Sequence, residues 1–262
     1  MTRFQTATAS AAVSIIAAGL FLRGDARWVV IAAVMLAYLV LLGLGVSFIK
    51  WRFFGDAFCR GRTDRPYVAL TFDDGPDPAA TPALLDVLED LKVPAAFFCV
   101  AERVRLHADT AALIVKKGHT IGNHTARHAW WTNFLFGRRL AGELADAQNA
   151  VIAAAGVAPR FYRPPMGLTN PHVASALARL DLVLVGWDVR SLDLRLAPDA
   201  VVARVTRLAR PGSIILMHDG GADPEKLCLA VREIVSILRD KGLEFVTLDT
   251  LVHGSLPEVD AA

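Results

Sequence analysis

Residues 28–49, WVVIAAVMLAYLVLLGLGVSFI, run for 22 positions without a charge. As a helix the stretch is about 33 Å long, enough to cross a hydrocarbon core of about 30 Å. Trp28, at its start, suits a membrane interface. A second apolar stretch, 6–22, precedes it across RGDAR. At 17 residues, Thr and Ser among them, it lies at the lower limit of spanning length, about 17. Arg3 ahead of it and Gly24-Asp25-Ala26 behind it also fit a signal-peptide core and cleavage pattern. A hairpin of two spans is the preferred expectation, because a signal peptide is not normally followed at once by a second long span. The apolar excess of the whole chain, 54% with mean hydropathy +0.40, is concentrated here.

Charge is divided unevenly. Residues 1–65 carry eight Lys+Arg and three Asp+Glu, and the remainder 20 and 23. Lys50, Arg52, Arg60, Arg62 and Arg65 follow the second span, a basic juxtamembrane pattern expected on the cytoplasmic side and able to touch anionic headgroups; a solvated linker gives the same composition. The expected division is a membrane anchor at 1–50, a basic linker at 51–66, a catalytic domain at 67–252 and a tail at 253–262. Cys59, Cys99 and Cys228 have no metal-type spacing and imply no disulfide framework.

Beyond Tyr67, short apolar runs alternate with amphipathic stretches and no repeat is present. Candidate strands fall at 67–71, 95–100, 120–122, 160–163, 182–187, 213–217 and 243–247. Candidate helices fall at 82–91, 110–117, 138–155 closed by Gly156, 171–180, 199–210 and 224–241 closed by Gly242. Strict βα alternation predicts parallel strands covered by helices, as an open doubly wound sheet or a barrel.

TFDDGP puts Asp73 and Asp74 side by side at the end of the first such strand. An Asx-type turn is the plain explanation of an isolated pair. GNHTARH changes the balance: His124 and His128 are four residues apart, a spacing that places two imidazoles on one face of a helical turn. Two histidines and one carboxylate make three protein ligands with a position left open, the pattern of a catalytic rather than a structural zinc. The second carboxylate is then free to act as a base. FYRPPMG places Arg163 at the end of the fourth strand, WDVRSLD places Asp188 and Asp193 after the fifth, and IILMHD places His218 and Asp219 at the end of the sixth. Each has a bland reading, but parallel α/β architectures gather active-site groups at this one edge. His107, His119, His172 and His253 show no such placement.

TFDDGP, HTARH, RPPMG, WDVRSLD and LMH resemble, in order and spacing, the five motifs of the polysaccharide deacetylase family, the NodB-homology carbohydrate esterases, over residues 67–251. The resemblance implies a distorted, incomplete (β/α) barrel of about seven strands. It also implies that Asp74, His124 and His128 bind a divalent metal, zinc first, with cobalt, nickel or manganese as other occupants. Asp73 is then the general base, Arg163 tethers it, and His218 is the general acid with Asp193 as its carboxylate partner. The backbone N–H of Met166 matches an oxyanion donor. The sequence departs from the family at Met166, where Tyr is common, and at Leu194, where many members have a Trp that forms the acetyl slot with the motif-five leucine, here Leu216.

The expected activity is metal-dependent removal of an N-acetyl group from an amino sugar in a polysaccharide, peptidoglycan or lipid-linked glycan. An O-acetyl esterase and a catalytically silent, membrane-tethered carbohydrate-binding module are the competing expectations. A pseudoenzyme is free to lose Asp73 or His218, and both are present. The expected partners are an N-acetylated glycan and the lipid bilayer, with no nucleic acid. The expected location is the bacterial cytoplasmic (inner) membrane. Two spans from a cytoplasmic start put the catalytic domain inside, which the basic run slightly favours; one span puts it outside.

Overall fold

The structure, a computed structural model, describes residues 2–62 and 65–254. Residues 63 and 64 of the expected linker and 255–262 of the expected tail lie outside them. The two apolar stretches form α1 (Arg3–Phe21) and α2 (Asp25–Ser47), packed side by side as a hairpin with the Thr8 and Tyr38 hydroxyls 2.8 Å apart. Both are long and apolar enough to cross a membrane, and Leu20, Phe21, Val29, Leu36 and Leu39 stand exposed. An apolar surface of that extent calls for a nonaqueous neighbour.

The start of α1 and the end of α2 meet the rest of the chain together. Phe4 N–H donates to Phe53 O at 3.0 Å and Thr169 N–H to Val46 O at 3.2 Å, while Arg3 Nη1 donates to Trp51 O at 2.8 Å. Gly45 is required here, because the Phe53 ring lies where its Cβ would be.

The remaining chain is one parallel sheet wrapped by helices. In chain order the elements are β1 (Tyr67–Asp73), α3 (Ala80–Leu91), β2 (Ala95–Cys99), α4 (Ala101–Leu106), α5 (Ala108–Lys116), β3 (Thr120–Asn123), α6 (Arg138–Ala155), β4 (Phe161–Tyr162), α7 (Val173–Ala178), β5 (Val183–Leu184), β6 (Val189–Arg190), α8 (Pro198–Leu208), β7 (Ile214–His218), α9 (Pro224–Asp240), β8 (Glu244–Phe245) and α10 (Leu248–His253). The strand order is β5-β4-β3-β2-β1-β7-β6, with β8 beside the start of β1. Seven strands are expected and eight occur among the described residues. The additional one, β6, is two residues of WDVRSLD paired with β7, too short to leave a period in the sequence.

The sheet curls without closing between β5 and β6, which makes the barrel incomplete. Residues 58–61 occupy the opening: Phe58 bridges Val185 in parallel and Arg60 bridges Ser213 antiparallel. The segment after α2 is therefore packed onto the barrel, with Phe53, Phe54, Ala57 and Cys59 buried. Two of its basic residues are engaged there, Lys50 Nζ with Asp188 O at 2.9 Å and Arg60 Nη2 with Pro211 O at 2.8 Å.

Period-two alternation on β1 sorts its side chains. Val68, Leu70 and Phe72 pack outward with Leu84 and Leu88 of α3 and Val231 and Ile234 of α9. Each such fully buried side chain stabilises the fold by about 1.5–3 kcal/mol relative to exposure. Ala69, Thr71 and Asp73 therefore face the barrel interior, where Ala69 packs with Phe98, Phe161 and Ile214.

Candidate active site

The sequence places the first strand at 67–71, but β1 runs on to Asp73, held by parallel neighbours on both sides. The register pairs Asp73 directly with His218 at the end of β7. Two chemically different groups thus reach the interior from adjacent strands at the same height. Asp74 leaves the strand at φ 71°, a left-handed conformation that Asp tolerates better than most residues, and so turns its carboxylate toward β3.

His124 and His128 do not share a helical turn. They lie in a loop after β3, with Thr125 at φ 70° and His128 at φ 54°. The loop is tied by Asn123 Oδ1, which accepts from Thr125 N–H, and by Thr125 Oγ1, which accepts from His128 N–H, both at 3.0 Å. These local bonds satisfy the backbone in place of a helix ladder, and the imidazoles still converge, with ring centroids 5.0 Å apart.

Their Nε2 atoms lie 3.2 and 3.1 Å from Asp74 Oδ1. That oxygen is buried and has no hydrogen-bond partner, while the ligand atoms of all three residues fall within 4.8 Å of one another. His124 Nδ1 donates to Arg163 O at 2.7 Å, which leaves its Nε2 lone pair pointing at the same space. A buried, orphaned carboxylate oxygen facing two imidazole nitrogens is a donor set that fits a divalent cation such as zinc. Electrostatics agree. Burial works against charge on His124, yet Asp73 and Asp74 pull its pKa up; burial also opposes ionisation of Asp74, and the facing histidines still hold it down at about 2. His128 is pushed down by burial and by the charge of His124. The pocket favours positive charge.

Asp73 is held separately. Arg163 Nη1 donates to Asp73 Oδ1 at 2.6 Å and to Thr71 Oγ1 at 2.9 Å, and Nη2 donates to Gly186 O at 2.9 Å. The guanidinium lies 4.1 Å from the centroid of the Phe98 ring and is fully buried. Burial lowers its pKa against the opposing pull of Asp73. Across the cavity, His218 Nδ1 meets Asp193 Oδ1 at 2.9 Å, and Asp193 Oδ2 accepts from His218 N–H at 2.7 Å. Burial opposes charge on His218, but its hydrogen bond and charge contact with Asp193 raise its pKa above the ordinary 6.5.

These groups share one open cavity of about 200 Å³, which Met166, Leu194 and Leu216 also line. Met166 stands at φ 58° and is half-exposed, Leu194 is half-exposed, and Leu216 is buried. A larger cavity, about 430 Å³, lies behind the 193–196 loop and contains neither histidine nor Asp73.

Asp188, collected with the others by position, is structural: it accepts from Ser213 Oγ and Ile214 N–H. Asp219 lies beneath the turn that follows β1, fully buried, accepting from Thr81 Oγ1 at 2.5 Å. Burial lifts its pKa to about 7, and its carboxylate sits where a Cβ on Gly75 would be. His119 is a core residue, accepting from Ala95 N–H, and burial pushes its pKa to about 4. Thr71, Trp187 and Arg190 were not legible as site residues. Thr71 supports Arg163, and the other two line the cavity; only their membership of TFDDGP and WDVRSLD marks them in the sequence.

A family profile described as polysaccharide deacetylase matches residues 60–185. The chain is 34% identical over 189 residues to a peptidoglycan-N-acetylglucosamine deacetylase of Bacillus cereus, covering 71% of this chain and 88% of that protein. The chain belongs to the polysaccharide deacetylase family. It is also 34% identical over 197 residues to a chitooligosaccharide deacetylase of Sinorhizobium fredii, covering 70% and 90%. Among solved structures it resembles a family 4 acetyl xylan esterase from Clostridium thermocellum in complex with a cobalt ion, at TM-score 0.65 and 35% identity, covering 71% and 90%. The incomplete parallel barrel is the fold expected of a polysaccharide deacetylase.

Proposed function

We propose that this polysaccharide deacetylase family protein is a membrane-anchored, metal-dependent amidohydrolase that removes an N-acetyl group from an amino sugar of a glycan. The observation that carries the reading is the pairing of a buried Arg163–Asp73 base with a His218–Asp193 acid across one cavity, beside the Asp74–His124–His128 donor set. Zinc is the preferred occupant, with cobalt, nickel or manganese as substitutes. When bound, a cation there supplies Lewis-acid polarisation of a carbonyl oxygen and a lowered pKa for water.

The chain's own residues divide the remaining work. Asp73, oriented by Arg163, accepts the proton of the attacking water. Met166 lines the cavity, and its backbone N–H is the proposed donor to the developing oxyanion, a contact of the kind worth about 3 kcal/mol. His218, protonated, gives its proton to the departing amine nitrogen. Leu194 and Leu216 line the cavity as the proposed walls of the acyl slot, and because Leu194 stands where many relatives carry Trp, the slot is differently shaped on that side.

Purified full-length protein is expected to release acetate from N-acetylglucosamine oligomers and to lose that activity on chelation, recovering it with zinc. Faster release from an O-acetylated sugar in a side-by-side assay would move the assignment to an esterase. Activity that survives chelation would sink the metal-dependent reading.

The raised pKa of His218 sets a pH limit. The protonated acid is present below that pKa and is lost as pH rises through it, so kcat falls on the alkaline side. Asp193→Asn removes the hydrogen bond and charge that raise it, leaving burial to lower it. The alkaline limb of the kcat profile should then shift to lower pH; an unmoved limb would assign the proton to another group.

We also propose that α1 and α2 cross the membrane as a hairpin, which sets the catalytic domain on the same face as the start of α1. The basic residues after α2 favour the cytoplasmic face of the inner membrane. A carboxyl-terminal reporter should read as cytoplasmic, and a periplasmic signal would reverse the orientation.

A further inference from the structure

The loop between β3 and α6 carries an aromatic run that the deacetylase chemistry does not use. Trp130, Trp131, Phe134 and Phe136 are 64%, 51%, 63% and 61% exposed. They sit on a short 3-10 turn (Trp130–Phe134) and just beyond it. Trp130 packs edge to face with Trp131 and with Phe134, so the run forms one apolar face instead of scattered side chains. Arg138 and Arg139 follow, both exposed. None of the four aromatics lines the catalytic cavity, although the run begins two residues after His128 on the same loop.

Its place relative to the hairpin gives the run a meaning. Asn170 Nδ2 donates to Asn133 O at 2.9 Å and to Leu135 O at 3.2 Å. The neighbouring Thr169 N–H donates to Val46 O, in the last turn of α2. Phe136 packs on His172 with centroids 5.1 Å apart, and Ala174, two residues on, lies beside Gly55, 3.5 Å from where a Cβ on that glycine would be. One loop, 169–174, thus ties the aromatic run to the end of the membrane-length helix. At that same end, Phe48 and Trp51 stack on each other, 50% and 40% exposed.

Exposed Trp and Phe beside Arg, at the level where an apolar helix ends, are the composition of a membrane interface: the rings sit among headgroups and the guanidinium groups meet lipid phosphates. We propose that residues 130–136, with Phe48 and Trp51, form a bilayer-docking collar. The collar holds the mouth of the active site at headgroup depth and directs it to amino sugars carried on a membrane lipid. This rests on the hairpin and deacetylase readings above and narrows them to a substrate class. A second contact, on the loop that begins at a metal-type histidine, fixes which way the cavity faces.

The test uses the full chain in lipid nanodiscs. Replacing Trp130 and Trp131 by Phe isolates their emission as the difference from wild type, the remaining tryptophans being Trp28, Trp51 and Trp187. Lipids brominated near the carbonyl level should quench that difference emission. Equal emission in brominated and plain nanodiscs overturns the collar. In a second arm, Trp130→Ser, Trp131→Ser and Phe134→Ser are combined, and deacetylation is followed on a polyprenyl-diphosphate-linked N-acetylglucosamine and on a soluble N-acetylglucosamine oligomer. The lipid-linked rate should fall roughly tenfold, as expected for a lost interfacial contact, with the soluble rate unchanged. Equal losses on both would assign the loop to glycan stacking or to folding, and no loss on either would leave it without the proposed role; both overturn the proposal. Should the wild type act on neither substrate, the deacetylase reading fails and the quenching arm still decides the docking.

Discussion

An Asp73→Asn protein should bind zinc as wild type does and release acetate about 10²–10⁴-fold more slowly. The two neighbours are held by different partners. Asp73 Oδ1 is taken by Arg163 at 2.6 Å, and its Oδ2 stands 3.9 Å from His124 Nε2. Asp74 Oδ1 faces both imidazoles at 3.1–3.2 Å with no hydrogen bond of its own. Asp74→Asn should therefore lose metal and activity together. Metal content after dialysis against a weak chelator separates the two outcomes. An Asp73→Asn protein that came through dialysis without metal would make Asp73 a ligand and remove the assigned base.

The second large effect lies at Arg163. It is fully buried and bound to a carboxylate, a hydroxyl and a backbone carbonyl. Removing one member of a buried pair leaves an uncompensated charge, at a cost of about 3–5 kcal/mol. For a domain of this size Arg163→Met should lower the unfolding midpoint by on the order of 10 °C. It should also abolish activity, since Asp73 would lose the hydrogen bond that orients it. Adding Asp73→Asn to Arg163→Met removes the stranded charge, so the double variant should be more stable than Arg163→Met alone. Additive losses in thermal unfolding would show that the pair does not act as a unit.

The helices were largely legible from the chain. Gly156, at φ 71°, closes α6 where the sequence places its end, because only glycine takes that conformation without strain. The strands were legible as apolar runs, and their ends less so. β1 continues through Asp73 because pairing with β2 and β7 satisfies its backbone on both sides, and a charged residue at a strand end gives no local sign of that. The four-residue spacing of His124 and His128 suggests a helical turn, whereas Asn123 and Thr125 side chains supply the backbone partners that hold a loop. A helix and a loop both bring two imidazoles together, so the convergence of His124 and His128 was readable while its backbone was not.

Residues 51–66 show the opposite case. Their composition reads as a basic tether, yet Phe58 and Arg60 bridge Val185 and Ser213 at the opening between β5 and β6. An open barrel leaves unpaired strand edges, which another segment of the chain covers. Nothing local to the segment announces which edge is free, and the same holds for the aromatic run at 130–136, whose nearness to α2 depends on contacts made through Thr169 and Asn170.

The sequence by itself determined the residue types that can do the chemistry, their order and the strand ends on which they lie, because motif spacing and hydrophobic period are properties of the chain. Only the tertiary structure decided that Asp73 stands level with His218, that Arg163 reaches Asp73 from a strand some ninety residues away in sequence, and that Asp74 turns to the histidines. Those are matters of parallel register, barrel curvature and a left-handed backbone at one aspartate, set by contacts between segments that the order of residues does not display.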